Sequence, residues 1–224
     1  MKKIIIAIDG PAASGKSSTA KLVAATLGYL HIDTGAMYRA MALKILRSKV
    51  DPNDTVKISA LATRTSVRLA LREGKIRVVL DGEEVSGEIR LPEVTNIVSP
   101  ISTVSDVRKL MVHEQRAMGR EGGIVLEGRD IGSVVFPNAE LKIFMVADAR
   151  ERAVRRRKEL GTKGVEISVE ELEKEILERD RIDSGRSVSP LLKADDAIEL
   201  DTTNLSIEEQ VEFIVEKARK IIEQ

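Results

Sequence analysis

The sequence predicts an α/β fold: a five-stranded parallel sheet between two layers of helices, with a small antiparallel β insert and a helical lid. Three observations predict it. Short β-branched apolar runs alternate with segments of helical period along most of the chain. The first such run, at residues 4–8, passes through a glycine-rich turn directly into an amphipathic segment. Between residues 67 and 85 the period drops to two, which sets that stretch apart from its surroundings.

Taken in order, Ile4, Ile5, Ile6, Ala7 and Ile8 read as a strand buried on both faces. Ala20, Val23, Ala24 and Leu27 then fall at i, i+3, i+4 and i+7, one face of a helix. Tyr29-Leu30-His31-Ile32 is a second strand, and Thr34 is expected to cap the helix marked by Met37, Met41 and Ile45. Asp51-Pro52-Asn53-Asp54 predicts a turn and cap before a helix through Ile58, Leu61 and Ala62. Val67, Leu69 and Leu71 alternate, a turn is expected at Glu73-Gly74, and Ile76, Val78 and Leu80 alternate again. Asp81-Gly82 turns the chain towards Glu83-Glu84-Val85, completing a meander that reads as an insertion. Pro92 and Pro100 bracket a short irregular or helical piece. Thr103 with Asp106 resembles a capping box for a helix through Val107, Leu110 and Met111, ended by the glycine-rich residues 119–123. Strands are expected at 124–126 and 141–146, then a strongly basic helix at 150–160. Residues 166–179 read as an acid-rich helix whose apolar stripe is only Leu172, Ile176 and Leu177. A fifth strand at 197–200 precedes a last helix, 206–222, with Val211, Ile214, Val215 and Ala218 on one face.

A chain of 224 residues suits one core with inserted subdomains. Lys and Arg number 36 and Asp and Glu also 36, so net charge argues for neither an acidic nor a basic partner. The absence of Cys excludes disulfides, thiolate metal sites and a thiol nucleophile, and fits a reducing compartment. The opening apolar run stops at Asp9, too short for an export signal, and no later run reaches membrane-spanning length. A cytoplasmic protein with no membrane contact is expected.

Gly10-Pro11-Ala12-Ala13-Ser14-Gly15-Lys16-Ser17 fills every fixed position of G-x-x-x-x-G-K-S, between the strand and helix that this pattern needs. The fold class is therefore the P-loop NTPase type, and the chain is expected to bind a nucleoside triphosphate. Glycines let several N–H groups turn inward, and the helix start adds positive potential. The triphosphate is expected on Gly10, Pro11, Ala12, Ala13, Ser14, Gly15, Lys16, Ser17 and Ser18. Lys16 would reach the β- and γ-phosphates and the Ser17 hydroxyl would ligate Mg²⁺.

Arg39 follows the second strand and Arg129 the third, where open α/β sheets bind ligands. Arg150, Arg152, Arg155, Arg156, Arg157 and Lys158 form the densest basic stretch. It reads as a solvated helix paired with the acidic segment; a nucleic-acid surface is disfavoured because aromatics are only 2% and none interleave. Arg179, Asp180, Arg181, Asp183 and Arg186 form a second charged knot, too polar for a core and suited to a hinged lid. No carboxylate pair, Ser-His-Asp set or His/Cys cluster stands out, and His31 and His113 read as structural. A hydroxyl or water acceptor would call for a base. An acceptor phosphate, with a second pKa of about 6, is already largely anionic at neutral pH and calls for arginines instead.

Four blocks together carry a resemblance over almost the whole chain. They are the phosphate loop, Asp33-Thr34-Gly35-Ala36-Met37-Tyr38-Arg39, Gly128-Arg129-Asp130-Ile131-Gly132-Ser133-Val134-Val135-Phe136-Pro137, and Glu178-Arg179-Asp180 with Arg186. In these the sequence resembles the bacterial-type cytidylate kinases of the nucleoside monophosphate kinase superfamily. The resemblance implies transfer of the γ-phosphoryl of ATP to CMP or dCMP, with Mg²⁺, in pyrimidine nucleotide metabolism. It implies a single kinase domain with its core at 1–34, 123–149 and 187–224. An acceptor-binding region at 35–122 would include the β insert at 65–90, and a lid would span 150–186. It places Thr34, Arg39, Ser99, Arg108, Arg129, Asp130, Arg179, Asp183 and Arg186 around CMP, and Lys16, Arg39, Arg129, Arg155 and Arg179 in catalysis. Ser133 stands where many members have Thr. Asp130 could read the cytosine amino group, or orient Arg129, or help to hold Mg²⁺. The chain is expected to act as a monomer without nucleic acid. Rival readings are another small-molecule kinase of this fold, a nucleotide-dependent switch, which lacks an N-K-x-D motif here, and a nucleic-acid binder.

Overall fold

The computed structural model describes residues 2–72, 75–162 and 164–224, so the turn expected at Glu73-Gly74 lies outside the described residues. From the N-terminus, β1 (Ile5–Asp9) leads through the glycine loop into α1 (Lys16–Leu27), then β2 (Leu30–Asp33). Next come α2 (Thr34–Arg47), α3 (Thr55–Ala62), β3 (Val67–Arg72), β4 (Lys75–Leu80) and β5 (Glu83–Glu84). The short α4 (Pro92–Asn96) and α5 (Val98–Ile101) precede α6 (Ser105–Met118). β6 (Ile124–Gly128), a single π turn at Ile131–Val135 and β7 (Leu141–Val146) follow. The chain closes with α7 (Ala149–Gly161), α8 (Val169–Gly185), β8 (Ile198–Asp201) and α9 (Ile207–Ile222).

Two compact units result, one of Met1–His31 with Gly122–Gln224 and one of Ile32–Glu121. The first is built on the five-stranded sheet, in the order β2-β6-β1-β7-β8. β1 runs parallel to β6 on one side and to β7 on the other, and β7 runs parallel to β8. Ile4, Ile6, Ile8, Val125, Leu141, Ile143 and Met145 share a core with Ala20, Val23 and Ala24 of α1 and Ile214, Val215 and Ala218 of α9. Each buried isoleucine contributes about 2 kcal/mol, so β1 is held firmly and its C-terminal end is a fixed platform. α7 and α8 share a far smaller core of Ala153, Val169, Leu172 and Ile176. Arg150 pairs with Glu170 and Glu173 across their surface, as the charge pattern predicts.

The second unit is organised around α2. Met37, Met41 and Ile45 meet Ile58 and Leu61 of α3, Val67, Val78 and Leu80 of the β insert, and Val107 and Met111 of α6. The insert is thus part of that unit's core. Its strands form an antiparallel β3-β4-β5 sheet, closed at Asp81-Gly82 by two residues of positive φ (49° and 92°). Lys44 pairs with Asp81 at 2.7 Å, and Arg47 bridges Glu83 and Glu88, tying the insert to α2.

Several local expectations are corrected. Thr34 does not cap α2; Asp33 does, its carboxylate accepting the Ala36 N–H at 3.1 Å. A carboxylate one residue earlier is the stronger acceptor at the positive helix start. The Thr103–Asp106 box does not form, because α6 begins after Val104 without a side-chain cap. Thr103 donates instead to the Pro100 carbonyl (2.7 Å), and Asp106 is drawn to Lys109 (2.9 Å). The acid-rich helix begins at Val169 rather than 166, where Ser168 and Glu171 form a reciprocal capping box, and it continues to Gly185. The charged knot at its end is not all surface: Asp183 and Arg186 are buried, and Asp183 takes both Arg186 and Arg129 as partners. The piece bracketed by Pro92 and Pro100 is helical, with Pro92 at the first position of α4, where a missing N–H costs nothing.

Candidate active site

The glycine loop starts at the end of β1 in a conformation only glycine can take. Gly10 has φ 146°, and a Cβ there would lie 2.1 Å from the Met145 carbonyl oxygen. Contacts from the rest of the first unit brace the loop and the helix that follows it. The Thr202 hydroxyl donates to the Ser14 carbonyl (2.9 Å), and the Thr19 hydroxyl to Gln210 Oε1 (2.7 Å). Arg152 donates to the Ala12 carbonyl (3.1 Å) while pairing with Asp180 at 2.7 Å. Lys16 Nζ folds over its own loop, donating to the Pro11 carbonyl and to Ser14 Oγ.

Lys16 is buried among like charges. Burial pushes its pKa well below the usual lysine value and Arg129 adds to that push, as does Arg179 more weakly; Glu127 and Asp9 act against it. Arg129 and Arg179, both in the first unit, thus add positive potential at Lys16 against the two carboxylates. That is the electrostatics of an anion site, since a polyanion would relieve the repulsion.

Beside the loop, the Ser17 hydroxyl donates to Glu127 Oε2 at 2.5 Å, and His31 Nε2 lies 2.9 Å from Glu127 Oε1. His31, read as structural, thus holds the carboxylate that faces Ser17. A hydroxyl and a carboxylate are hard oxygen donors of the kind Mg²⁺ takes, with phosphate oxygens and water completing its shell. Among the described residues no group of three or more His, Cys, Asp or Glu could hold a metal ion. Asp9, the last residue of β1, is also buried and accepts the N–H groups of Ile131 (2.8 Å) and Gly132 (2.7 Å).

Arg129 leaves β6 one residue beyond its end and is oriented by Asp183 of α8, Nε to Oδ2 at 2.8 Å. Arg186 Nη1 stands 3.7 Å from the other oxygen of Asp183. Burial would raise the Asp183 carboxyl, but Arg129, Arg179 and Arg186 together more than offset this and hold it below the ordinary range. Asp130 is buried beside this group. Arg155 stands apart from it: its guanidinium donates to the Thr202 and Thr203 carbonyls (2.6 and 3.1 Å), behind the loop braced by Thr202.

In the second unit, Arg39 Nη2 pairs with Asp33 at 2.6 Å, and its Nε is buried without a hydrogen bond. Gly35 lets this pair close, since a Cβ there would come within 3.1 Å of the Asp33 carboxylate. Arg108 is buried in α6, its guanidinium 5.5 Å from the Tyr38 ring centroid. Thr34 is buried at the first position of α2, and Ser99 lies half-buried on α5.

The sequence assigns no site role to Asp9, Glu127, Thr202 or Gln210, and it places Arg152 only on a solvated basic helix, whereas Arg152 is buried. Two of them left a signal: Asp9 and Glu127 are the lone acidic residues at the ends of otherwise apolar strands. The other three act by tertiary contact alone.

Comparisons with known proteins identify the family. The cytidylate kinase family model matches residues 6–220. A cytidylate kinase of Caldicellulosiruptor bescii is 47% identical over 99% of this chain and 98% of its own length. Those of Chloroherpeton thalassium (52%, over 100% of this chain and 96% of its own length) and Pediococcus pentosaceus (51%, over 97% and 98%) are similar to the same extent. Among solved structures, an uncharacterized protein from Eubacterium ventriosum superposes with a TM-score of 0.55 at 14% identity, covering 98% of this chain and 99% of that one. Shikimate kinase from Bacteroides thetaiotaomicron gives a TM-score of 0.50 at 11% identity over the full length of both chains. At such identities the structural likeness speaks only to the fold. With the family model spanning nearly the whole sequence and full-length relatives near half identity, the chain belongs to the cytidylate kinase family.

Proposed function

We propose that this kinase transfers the γ-phosphoryl group of ATP to CMP and dCMP, giving ADP with CDP or dCDP. The observation that carries the reading is the pairing of two strand ends: the Lys16 loop follows β1, and Arg129, aimed by Asp183 at 2.8 Å, follows the neighbouring β6. The carboxylates nearby are already engaged, Asp9 by two backbone N–H groups and Glu127 by Ser17 and His31. Neither is disposed as a base for a hydroxyl acceptor. An anionic acceptor phosphate needs neutralisation rather than deprotonation, and guanidiniums supply it.

In this reading the loop from Gly10 to Ser18 holds the ATP phosphates. Lys16 meets the charge on the β- and γ-phosphates, and Arg129 and Arg39 take the acceptor phosphate. Ser17 and Glu127 would hold Mg²⁺, which when bound screens the phosphate charges and fixes their orientation. Asp130, Arg108, Arg186 and Thr34 are assigned to the cytosine, and Ser99, Arg179 and Asp183 to the sugar side. Arg155 and Arg179 are assigned to the lid's part in catalysis. Catalysis then rests on holding two nucleotides in line and on fixed positive charge. The α7–α8 pair, with its small core, is read as a lid whose closure excludes water. Residues 1–34, 123–149 and 187–224 are read as core and 35–122 as the acceptor-binding region. A cytoplasmic, monomeric enzyme is part of the same reading; its support is the family resemblance. Among the described residues no helix is long and apolar enough to cross a membrane.

The test is a coupled assay of ATP against CMP, dCMP, UMP, AMP and GMP. CMP and dCMP should be phosphorylated with specificity constants well above the rest. Equal use of all five, or turnover independent of any acceptor, would overturn the reading.

A further inference from the structure

We propose that Asp9 is a positioning residue for the acceptor: its carboxylate, fixed at the end of β1, sets the Gly128–Gly132 loop that presents Arg129 and Asp130. The inference rests on the reading of that loop as the acceptor side. Asp9 stands opposite Gly128 in the sheet, and Gly10, the next residue, opens the phosphate loop. One side chain thus joins the end of the donor strand to the start of the other loop.

The geometry is specific. Asp9 Oδ1 accepts the Ile131 N–H at 2.8 Å and Oδ2 accepts the Gly132 N–H at 2.7 Å. Both oxygens are used, on two successive amides at the start of the π turn. The turn is anchored at its other end, where Val134 and Val135 donate to the Asp130 carbonyl. The Asp130 carbonyl is therefore held by the far end of the turn, while the Asp9 clamp fixes the two amides that directly follow Asp130. The clamp packs closely against Gly132 and the Lys142 side chain. A Cβ on Gly132 would meet Lys142 Cδ at 3.2 Å and Cγ at 3.3 Å, and Asp9 Oδ2 at 3.5 Å.

A buried carboxylate is costly, and the cost is visible. Burial raises the Asp9 carboxyl to about 6, with Asp130 adding to the rise, against the pull of the two N–H groups and of Lys16. At neutral pH it is still ionised, so both oxygens accept. An uncharged side chain that merely filled the space would avoid that cost. What it would lack is a pair of equivalent acceptors for two adjacent amides, which only a carboxylate offers.

Asp9→Asn keeps the shape and one acceptor, but turns an amide N–H₂ towards one of the two backbone donors. The full-length variant should show a KM for CMP raised roughly tenfold or more, since small misplacements of a positioning group are costly in rate and binding. Its Kd for ATP should stay within about twofold. In ¹H–¹⁵N spectra the Ile131 and Gly132 amides should move upfield and exchange faster with solvent. Gly132→Val crowds the same clamp from the loop side without altering the buried charge, because its branched side chain reaches past the ordinary 3.5 Å contact that a Cβ alone would make with Asp9 Oδ2, and it should give the same CMP-selective loss even if Asp9→Asn folds poorly. Equal weakening of CMP and ATP would make Asp9 a general support of the sheet end and overturn the assignment, as would unmoved amides. Arg129→Ala measured alongside separates the failures. If it raises the CMP KM while both clamp variants do not, only the role of Asp9 falls. If it too leaves CMP unaffected, the acceptor reading of the loop falls with it.

Discussion

Two neighbouring strands, β1 and β6, end level with one another, yet the loops that follow them meet charge by different means. After β1 the chain offers backbone: a loop whose N–H groups are free to turn inward because Gly10 can approach the Met145 carbonyl as no other residue could. After β6 it offers a side chain, Arg129, whose direction is set from outside by Asp183. The difference teaches where such sites can be read in advance. A backbone site imposes glycines at fixed spacing, so the pattern is written in the sequence. A guanidinium site imposes only an arginine, and what makes it a site is the partner that aims it.

The comparison can be broken at either loop. Lys16→Ala should have the largest effect, lowering turnover roughly a hundred- to a thousandfold with the fold intact by circular dichroism, as expected for loss of a preorganised charge at the reacting group. Turnover within about tenfold of the parent would remove Lys16 from the phosphate loop's chemistry. Asp183→Asn tests what aims Arg129. Breaking a buried ion pair should cost about 3 kcal/mol of stability at pH 7. The Asp183 carboxyl is held below its ordinary 3.8, so this stabilisation is complete above that pH and is lost as pH falls through the folded value. The gap in melting temperature between parent and variant should therefore narrow in acid, and a gap independent of pH would mean the pair does not stabilise the fold. Asp130→Asn sharpens the contrast by asking whether the arginine loop also reads the base. A carboxylate can accept from the cytosine amino group but faces a carbonyl oxygen on uracil, whereas an amide can donate to that oxygen. The ratio of CMP to UMP specificity constants should fall by about tenfold or more. A uniform loss for both substrates would pass the base-reading role to other residues.

Much of this was legible in the sequence, for physical reasons. The apolar runs that became β1, β6 and β7 could only be buried strands, and the two-residue period at 67–80 could only be hairpins. The insert's place in the core of the second unit was not legible, because Val67, Val78 and Leu80 alternate the same way whether they cover a helix or a neighbouring domain. Nor was the burial of Asp183 and Arg186, since a run of charges looks solvated until its partners are known. Caps failed where two acceptors competed, as Asp33 did with Thr34. Asp9 and Glu127 show the same limit at the site itself. Each is a single acidic residue whose meaning lies in a partner about a hundred residues away, Gly132 for one and Ser17 for the other.

The central claim is a division of labour: backbone and Lys16 for the donor, Arg129 and its loop for the acceptor. Calorimetric titration of ATP and of CMP into Lys16→Ala and Arg129→Ala tests it most directly. The account predicts a crossed result, with Lys16→Ala losing ATP affinity while keeping CMP and Arg129→Ala losing CMP affinity while keeping ATP. Parallel loss of both nucleotides in both variants would contradict it.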